Sequence, residues 1–169
     1  MGLIEWCVFP SYERNMPEIR QVLPPHHKHC DELFSVAEEA AQNGDWVACS
    51  EAQRHFGEEL LAHLAAEESV LFPAFEDATG MRHGPTQMMR QEHEQMRALV
   101  KQLDAAMAAK DGETFGGVAE ILLILMQQHN MKEENILYPM CDQALAGQVD
   151  AVSVELMQRL EEAKCQMSH

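Results

Sequence analysis

The stretch HLAAEESVLFP, residues 63–73, returns as HNMKEENILYP at residues 129–139. Both copies place His, two Glu residues, Leu, an aromatic residue and Pro at the same offsets. On a helix with about 3.6 residues per turn, residues four apart lie on one face. His63 and Glu67 therefore point the same way, as do His129 and Glu133. Two such helices that face each other predict a site for two metal ions.

Apolar residues recur at helical spacing in four long segments that Gly and Pro residues separate. Their predicted limits are 25–43 for helix A, Trp46 to before Gly80 for helix B, Pro85 to Asp111-Gly112 for helix C, and through the second copy to before Gly147 for helix D. The apolar pattern includes Val47, Met88 and Ile121. Pro73 and Pro139 are expected to bend the helices that contain them.

No run of residues alternates with a period of two over the length of a strand, so we predict an all-α protein. Four long helices with short connections indicate an antiparallel up-down four-helix bundle. Residues 24–169 are interpreted as one such domain, and residues 1–23 as an irregular N-terminal arm packed on it. Val152, Leu156 and Leu160 mark a short fifth helix outside the main four, as a lid or an edge support.

Composition excludes several classes of function. The chain of 169 residues carries a formal net charge of -16 at pH 7, which repels nucleic acid and anionic membrane surfaces. It opens with no long apolar run and no signal segment, which favours a cytoplasmic location. The five cysteines are scattered without Cys-x-x-Cys spacing, so we expect reduced thiols. The methionines have apolar neighbours at helical spacing, which favours core packing over copper binding.

Histidines on the other two helices complete the predicted site. His93 lies among apolar residues at helical spacing and is expected on the core face of helix C. Helix A offers His26, His27 and His29. Antiparallel neighbours at one level lie about equally far from their shared loop. Counting from the turn near Asp45 selects His27, with His26 as the alternative.

The predicted metal ligands come from all four helices. They are His27 (or His26), His63, Glu67, His93, His129 and Glu133. Glu67 and Glu133 are the expected bridges between two metal ions, whereas Glu68 and Glu134, rotated by about 100°, are expected on the flank. Mixed nitrogen and carboxylate ligation favours iron, with manganese or zinc as lesser candidates, and suits calcium and magnesium poorly.

At these residues the chain resembles the hemerythrin-like, or HHE cation-binding, family over about residues 24–146. The double His-x-x-x-Glu pattern is the most specific feature of this resemblance. It implies a hemerythrin-like bundle that holds two iron ions (Fe2+/Fe3+) with two bridging carboxylates and an oxo or hydroxo bridge.

Arg97 departs from the pattern of the oxygen-carrying hemerythrins, which have a further His at this place, one turn after the helix C ligand. The set of six ligands is therefore similar to that of the proteins called repair of iron centres. Those proteins usually add an N-terminal cysteine-bearing domain, and this chain has a short arm with Cys7.

Three functions follow as hypotheses. The first is a di-iron protein that binds dioxygen, nitric oxide or hydrogen peroxide for sensing, scavenging or protection against oxidative and nitrosative stress. The second is a di-iron peroxidase or a nitric oxide-reducing enzyme, assisted by Tyr138 or Cys30. The third is iron storage, or iron delivery for the repair of iron centres. The expected partners are a small gaseous or peroxide ligand and a redox partner, and the chain is expected to be a monomer or a homodimer.

Overall fold

The computed structural model describes residues 17–167, and every regular element within that range is helical. No helix among those described has the length and apolarity that crossing a bilayer requires. The part of the predicted arm that covers residues 1–16 lies outside the described residues. The prediction of an all-α fold is confirmed.

Ten helical segments follow one another along the described chain. They are α1 (Ile19–Val22), α2 (Pro24–Gln42), α3 (Trp46–Ala66), π1 (Glu67–Leu71), α4 (Phe72–Thr79), α5 (Pro85–Ala109), α6 (Gly112–Lys132), π2 (Glu133–Leu137), α7 (Tyr138–Ala144) and α8 (Val149–Met167). The segments α3, π1 and α4 run on without a break, as do α6, π2 and α7. The bundle therefore consists of four rods, two of them these composite helices and the others α2 and α5. Helix α2 packs against α3 and α6, and α5 packs against the same two.

Local chemistry fixes the ends of the rods. Asp45 and Asp111 precede α3 and α6, and their carboxylates accept hydrogen bonds from the N–H of Ala48 at 3.1 Å and of Thr114 at 3.0 Å. Gly80 follows α4 with a φ of 73°, a left-handed conformation that glycine adopts without a clash of Cβ. The helix limits predicted at these positions are confirmed.

Each copy of the repeated pattern contains a π-helical turn just ahead of its proline. Pro73 and Pro139 have no N–H to donate to an α-helical ladder. The chain widens by one residue instead, so that the N–H of Phe72 bonds to the carbonyl of Glu67, five residues back, and the second copy repeats this bond. At each predicted bend the structure has a π turn, and each turn begins at the first glutamate of the pattern.

The four rods share a core of three layers. An apolar cluster near the α2–α3 and α5–α6 loops is followed by a polar layer and then by a second apolar cluster. On α5, for example, Met96 belongs to the first cluster and Met89 to the second, with the buried His93 between them. The other rods contribute His27, His63 and His129, which are also buried, to the polar layer. This layer is therefore supplied by every rod of the bundle.

The C-terminal helix is longer than predicted. Helix α8 has 19 residues, the same length as α2. It packs against α3 and π1 and buries Val152, Leu156 and Leu160. The sequence marked this helix through those three residues because most of the others in the range 149–163 face solvent or are only partly buried, and so add little apolar periodicity.

Helix α1 replaces the last part of the predicted irregular arm. Ile19 and Leu23 are fully buried in the second apolar cluster, and the N–H of Ile19 donates to Asp142 Oδ1 at 2.7 Å. A helix of four residues is too short to show a periodic pattern, which is why the sequence predicted no regular structure here.

Three residues of the predicted apolar pattern lie on the surface. Val47 is 82% exposed, Met88 52% and Ile121 57%. In two cases the following residue takes the core position, because Met89 and Leu122 are buried. Adjacent apolar residues on a helix point about 100° apart, so only one of each pair can face the core.

We predict that Leu156→Ala lowers the free energy of unfolding by about 2–5 kcal/mol, because it leaves a cavity between α8 and the bundle. Urea unfolding monitored by circular dichroism measures this change. Leu61→Ala is the matched control, since Leu61 lies on α3 with 40% of its surface exposed. Equal stability of the two variants would show that α8 adds no support to the bundle.

Candidate metal centre

The structure brings six of the predicted ligands together in the polar layer. Atoms of Glu67, His93, His129 and Glu133 lie within 4.8 Å of one another, and atoms of His27, His63 and Glu133 do the same. All six residues are buried, and both carboxylates have no exposed surface. The two groups share Glu133, which is the arrangement expected of a carboxylate between two cations. That these residues ligate metal stays a prediction.

His27, and not His26, belongs to this cluster. His26 Nε2 lies 2.9 Å from Glu59 Oε2, and its Nδ1 lies 3.6 Å from the sulfur of Cys30. The His26 ring stacks on the ring of His63 with 5.1 Å between centroids. His26, the alternative ligand that the sequence left open on helix A, is therefore buried with contacts of its own, and the geometry supports His27.

Each carboxylate lies between imidazoles of two rods. Glu67 Oε2 is 3.5 Å from His63 Nε2 and 3.4 Å from His93 Nε2. Glu133 Oε1 is 3.1 Å from His129 Nε2, and its Oε2 is 3.3 Å from His27 Nε2. Because each glutamate contacts its own helix and one other, the two carboxylates tie the four rods together at one level.

A second set of carboxylates holds the outer nitrogens of three imidazoles. Glu134 Oε1 lies 2.8 Å from His27 Nδ1, and Glu68 Oε1 lies 2.7 Å from His93 Nδ1. The flanking positions predicted for these two glutamates agree with these contacts. The guanidinium of Arg97 donates to both oxygens of Glu68, at 2.8 and 3.0 Å, and so fixes that carboxylate.

Glu92 is a residue to which the sequence analysis gave no function. Its Oε2 lies 2.8 Å from His129 Nδ1, and Lys132 donates to its other oxygen. Glu92 directly precedes His93 in the chain but serves the imidazole of the neighbouring rod. Only a contact between α5 and α6 reveals this relation, and no local spacing in the sequence marks it.

The inner nitrogens of the four imidazoles face each other in two pairs. His27 Nε2 and His63 Nε2 are 3.0 Å apart, and His93 Nε2 and His129 Nε2 are 3.2 Å apart. A carboxylate only accepts hydrogen bonds, so a ring with its Nδ1 against a carboxylate carries a proton there. His93 and His129 both have this arrangement, so the Nε2 lone pairs of the two neutral rings would face each other. A cation or a further proton must therefore lie between His93 and His129.

Two buried carboxylate oxygens also lack a partner that carries positive charge or a proton. Glu67 Oε2 and Glu133 Oε1 have no hydrogen-bond partner among the residues that the structure describes. Buried polar atoms are nearly always paired, and a buried carboxylate without a partner is costly. The donor set therefore fits metal ions, which would satisfy these oxygens and the facing nitrogens at once.

When no metal is bound, protons supply the positive charge in the donor cluster. Burial acts to lower the pKa of His129, but the close contact with Glu133 and the charges of Glu133 and Glu67 outweigh it and raise that pKa to about 9. The pKa of His27 is raised by the same two carboxylates against the effect of burial. Burial and the charge on His27 lower the pKa of His63 well below its ordinary value. Metal uptake must therefore displace protons.

Tyr138 closes the site from the side of the second apolar cluster. Its hydroxyl lies 2.7 Å from Glu67 Oε1 and 2.8 Å from Glu133 Oε2. Its ring stacks on His27 with centroids 5.8 Å apart, and Phe72, at the same offset in the first copy, stacks on His93 at 5.5 Å. Cys30 is buried, and burial together with the charge of Glu59 raises the pKa of its thiol to about 12.

Comparison with known proteins agrees with this geometry. The chain belongs to the family described as hemerythrin HHE cation binding domain, whose model matches residues 18–141. It is also similar to the iron-sulfur cluster repair protein YtfE of Edwardsiella ictaluri (strain 93-146), with 32% identity over 92 residues. That similarity covers 48% of this chain and 41% of the relative, so the chain spans less than half of the relative's length. No solved structure gave a significant match.

We predict that the double variant Glu67→Ala/Glu133→Ala loses bound metal, because it removes both carboxylates that the two donor groups depend on. Metal analysis of the purified proteins after equal loading measures the metal content per chain. Glu113→Ala/Glu120→Ala is the matched control, since both of these glutamates are exposed. If the first variant still held two metal ions per chain, these carboxylates would not be the bridges.

Glu92→Ala should weaken the binding of one metal ion about 10- to 100-fold, because His129 loses the partner that orients its ring. Competition with a chromophoric zinc chelator measures the two affinities separately. Gln95→Ala is the control on the same helix, as its side chain is exposed. Identical affinities in the two variants would exclude an orienting role for Glu92.

Proposed function

We propose that this chain holds two iron ions between the four histidines and two glutamates of the donor cluster, and binds a small diatomic or peroxide molecule beside them. The observation that carries this proposal is the pair of buried donor groups that share Glu133. Iron, when bound, supplies coordination positions and redox chemistry for dioxygen, nitric oxide or peroxide. The chain supplies the donors, the balance of charge and the exclusion of bulk water.

The chemistry of the donors supports iron over other cations. Imidazole nitrogens and carboxylates are suitable for iron and manganese, whereas calcium and magnesium prefer all-oxygen sites. Neither donor group contains a thiolate. Two carboxylates offset half of the charge of two divalent ions, so the site retains affinity for an additional anionic or electron-rich ligand.

A cavity beside the donors restricts the size of that ligand. Its volume is about 10 Å³, about the size of one water molecule. His27, His63 and His129 line it together with Cys30, Leu60, Leu64, Met96 and Met126. A space of this size, lined by both polar and apolar side chains, favours a diatomic gas or a peroxide over larger organic substrates.

A surface depression lies beside this cavity and shares lining residues with it. It has a volume of about 390 Å³ and lies between α2 and the second composite rod. His27, Asp31 and Asn130 line both the depression and the cavity. A small molecule that passes Asp31 and Asn130 therefore arrives at the His27 side of the site.

The contacts of Arg97 also favour ligand binding on the His27 and His63 side of the site. Where oxygen-carrying hemerythrins have a further histidine, this chain has Arg97, and its guanidinium is bound to Glu68. Glu68 in turn holds His93, so this side of the site is closed by an ion pair. The His27 and His63 side, next to the cavity, remains the one with room for a ligand.

Iron delivery for the repair of iron centres is the second candidate. The similarity to an iron-sulfur cluster repair protein is the specific observation that favours it. This function requires that iron leave the site for an acceptor at a useful rate. Fast loss of iron to a chelator or an apo-acceptor would support delivery, and retention of iron would count against it.

The test of the main proposal begins with anaerobic protein loaded with ferrous iron. We expect two iron ions per chain and a rapid change of the optical spectrum on stepwise addition of nitric oxide or of air. The Glu67→Ala/Glu133→Ala variant, treated in the same way, should give no such change. Fewer than two irons in the wild-type chain, or a spectrum that neither gas nor peroxide alters, would contradict the proposal.

We predict that filling the cavity slows ligand binding. Leu64→Phe fills the cavity, at a cost in stability of about 1–3 kcal/mol, and should slow the reaction with nitric oxide while two irons are retained. Stopped-flow absorbance under anaerobic conditions measures the rate. Leu61→Phe is the control on the same helix, since Leu61 lies at the surface. An unchanged rate in Leu64→Phe would show that the ligand enters elsewhere.

A further inference from the structure

The hydroxyl of Tyr138 lies inside the donor cluster rather than at its edge. It is 2.7 Å from Glu67 Oε1, 2.8 Å from Glu133 Oε2 and 3.1 Å from His27 Nε2. Tyr138 itself has no exposed surface. Three atoms that belong to the predicted ligands thus surround one phenol oxygen.

Hydrogen bonding alone does not account for these contacts. A phenol has one proton to donate, and both carboxylates accept only. If the phenol donates its proton to Glu67, the Glu133 oxygen at 2.8 Å faces a lone pair of the phenol oxygen. If the phenol donates to Glu133, the Glu67 oxygen faces that lone pair. The single phenol proton therefore cannot satisfy both ionised carboxylates, and one of these close oxygen pairs needs a proton or a cation.

The distances are those expected between ligands of one cation. Nitrogen and oxygen ligands at about 2.0–2.2 Å from a metal ion lie roughly 3 Å from one another. Tyr138 Oη, His27 Nε2 and Glu133 Oε2 form a triangle with sides of 3.1, 2.8 and 3.3 Å. His63 Nε2, at 3.0 Å from His27 Nε2, extends the same set.

The two halves of the site differ at this point. The donor group around His93 and His129 has four residues, whereas the group around His27 and His63 has three. The first copy of the repeat has Phe72 where the second has Tyr138, and Phe72 offers no oxygen to the larger group. The hydroxyl is therefore present on the side that lacks a fourth donor.

From this geometry we propose that the Tyr138 oxygen is a further metal ligand, bound as phenolate to the cation that His27, His63 and Glu133 hold. The proposal rests on the proposed dinuclear site. On ligation the O–H bond breaks, its electron pair stays on the oxygen that binds the cation, and the proton passes to solvent. Tyr138 thereby becomes the seventh ligand of the chain.

The test compares the wild-type protein with Tyr138→Phe and Tyr12→Phe, which together change the only two tyrosines of the chain. Each protein is loaded with ferrous iron, oxidised to the ferric state and examined for iron content, visible absorption and resonance Raman scattering. We expect the wild type and Tyr12→Phe to show phenolate-to-iron charge transfer and tyrosinate ring modes. Tyr138→Phe should lose both signals, and in zinc titrations it should lose affinity at one of the two ions.

The outcomes separate this proposal from the one it rests on. Two irons per chain without tyrosinate modes in the wild type, or modes that persist in Tyr138→Phe, would overturn ligation by Tyr138 and leave the dinuclear site standing. Fewer than two irons in the wild type would overturn the dinuclear site itself. If Tyr138→Phe does not fold, the wild type and Tyr12→Phe with ring-deuterated tyrosine still decide the matter, because an isotope shift in Tyr12→Phe can come only from Tyr138.

Discussion

Two carboxylates without exposed surface in the middle of a helical bundle are the constraint on which the rest of this structure depends. Ionised carboxylates are strongly hydrated, so Glu67 and Glu133 are costly to bury unless positive charge surrounds them. Four imidazoles, one from each rod, supply the sites at which protons or cations provide that charge. The bundle needs all four rods for this reason, since no pair of helices offers enough donors to two carboxylates. The apolar clusters above and below the polar layer then keep water away from it.

Much of this arrangement follows from the sequence because it depends on spacing within one helix. His63 and Glu67, like His129 and Glu133, are four residues apart, and any α-helix brings such a pair to one face. The rods were predicted for the same reason, from apolar periodicity and from prolines and glycines at their ends. Helical periodicity does not say which of two adjacent apolar residues faces the core, and Val47, Met88 and Ile121 belong to the apolar pattern but lie on the surface.

Contacts between rods could not be predicted in this way. His26 and His27 are neighbours in sequence, and what separates them is Glu59 on α3 and Glu134 on π2, each bound to one of the two rings. The pairing of Glu92 with His129 and the position of the Tyr138 hydroxyl are of the same kind. Each depends on the relative rotation and level of two rods, which side-chain packing determines and which no local pattern records.

The repeat suggests two equal halves, but the structure makes them unequal. Three imidazoles have a carboxylate at Nδ1, whereas His63 Nδ1 has no hydrogen-bond partner among the residues that the structure describes. His26 precedes His27 in the chain, as Glu92 precedes His93. The ring of His26 stacks on His63, whereas Glu92 accepts a hydrogen bond from His129. A carboxylate at Nδ1 increases the basicity of an imidazole, so His63 is the weakest of the four donors. The cavity lies on this same side. A cation held by His27 and His63 therefore has one weaker imidazole donor than the cation of the other half, and the Tyr138 oxygen proposed above would give that cation a further donor.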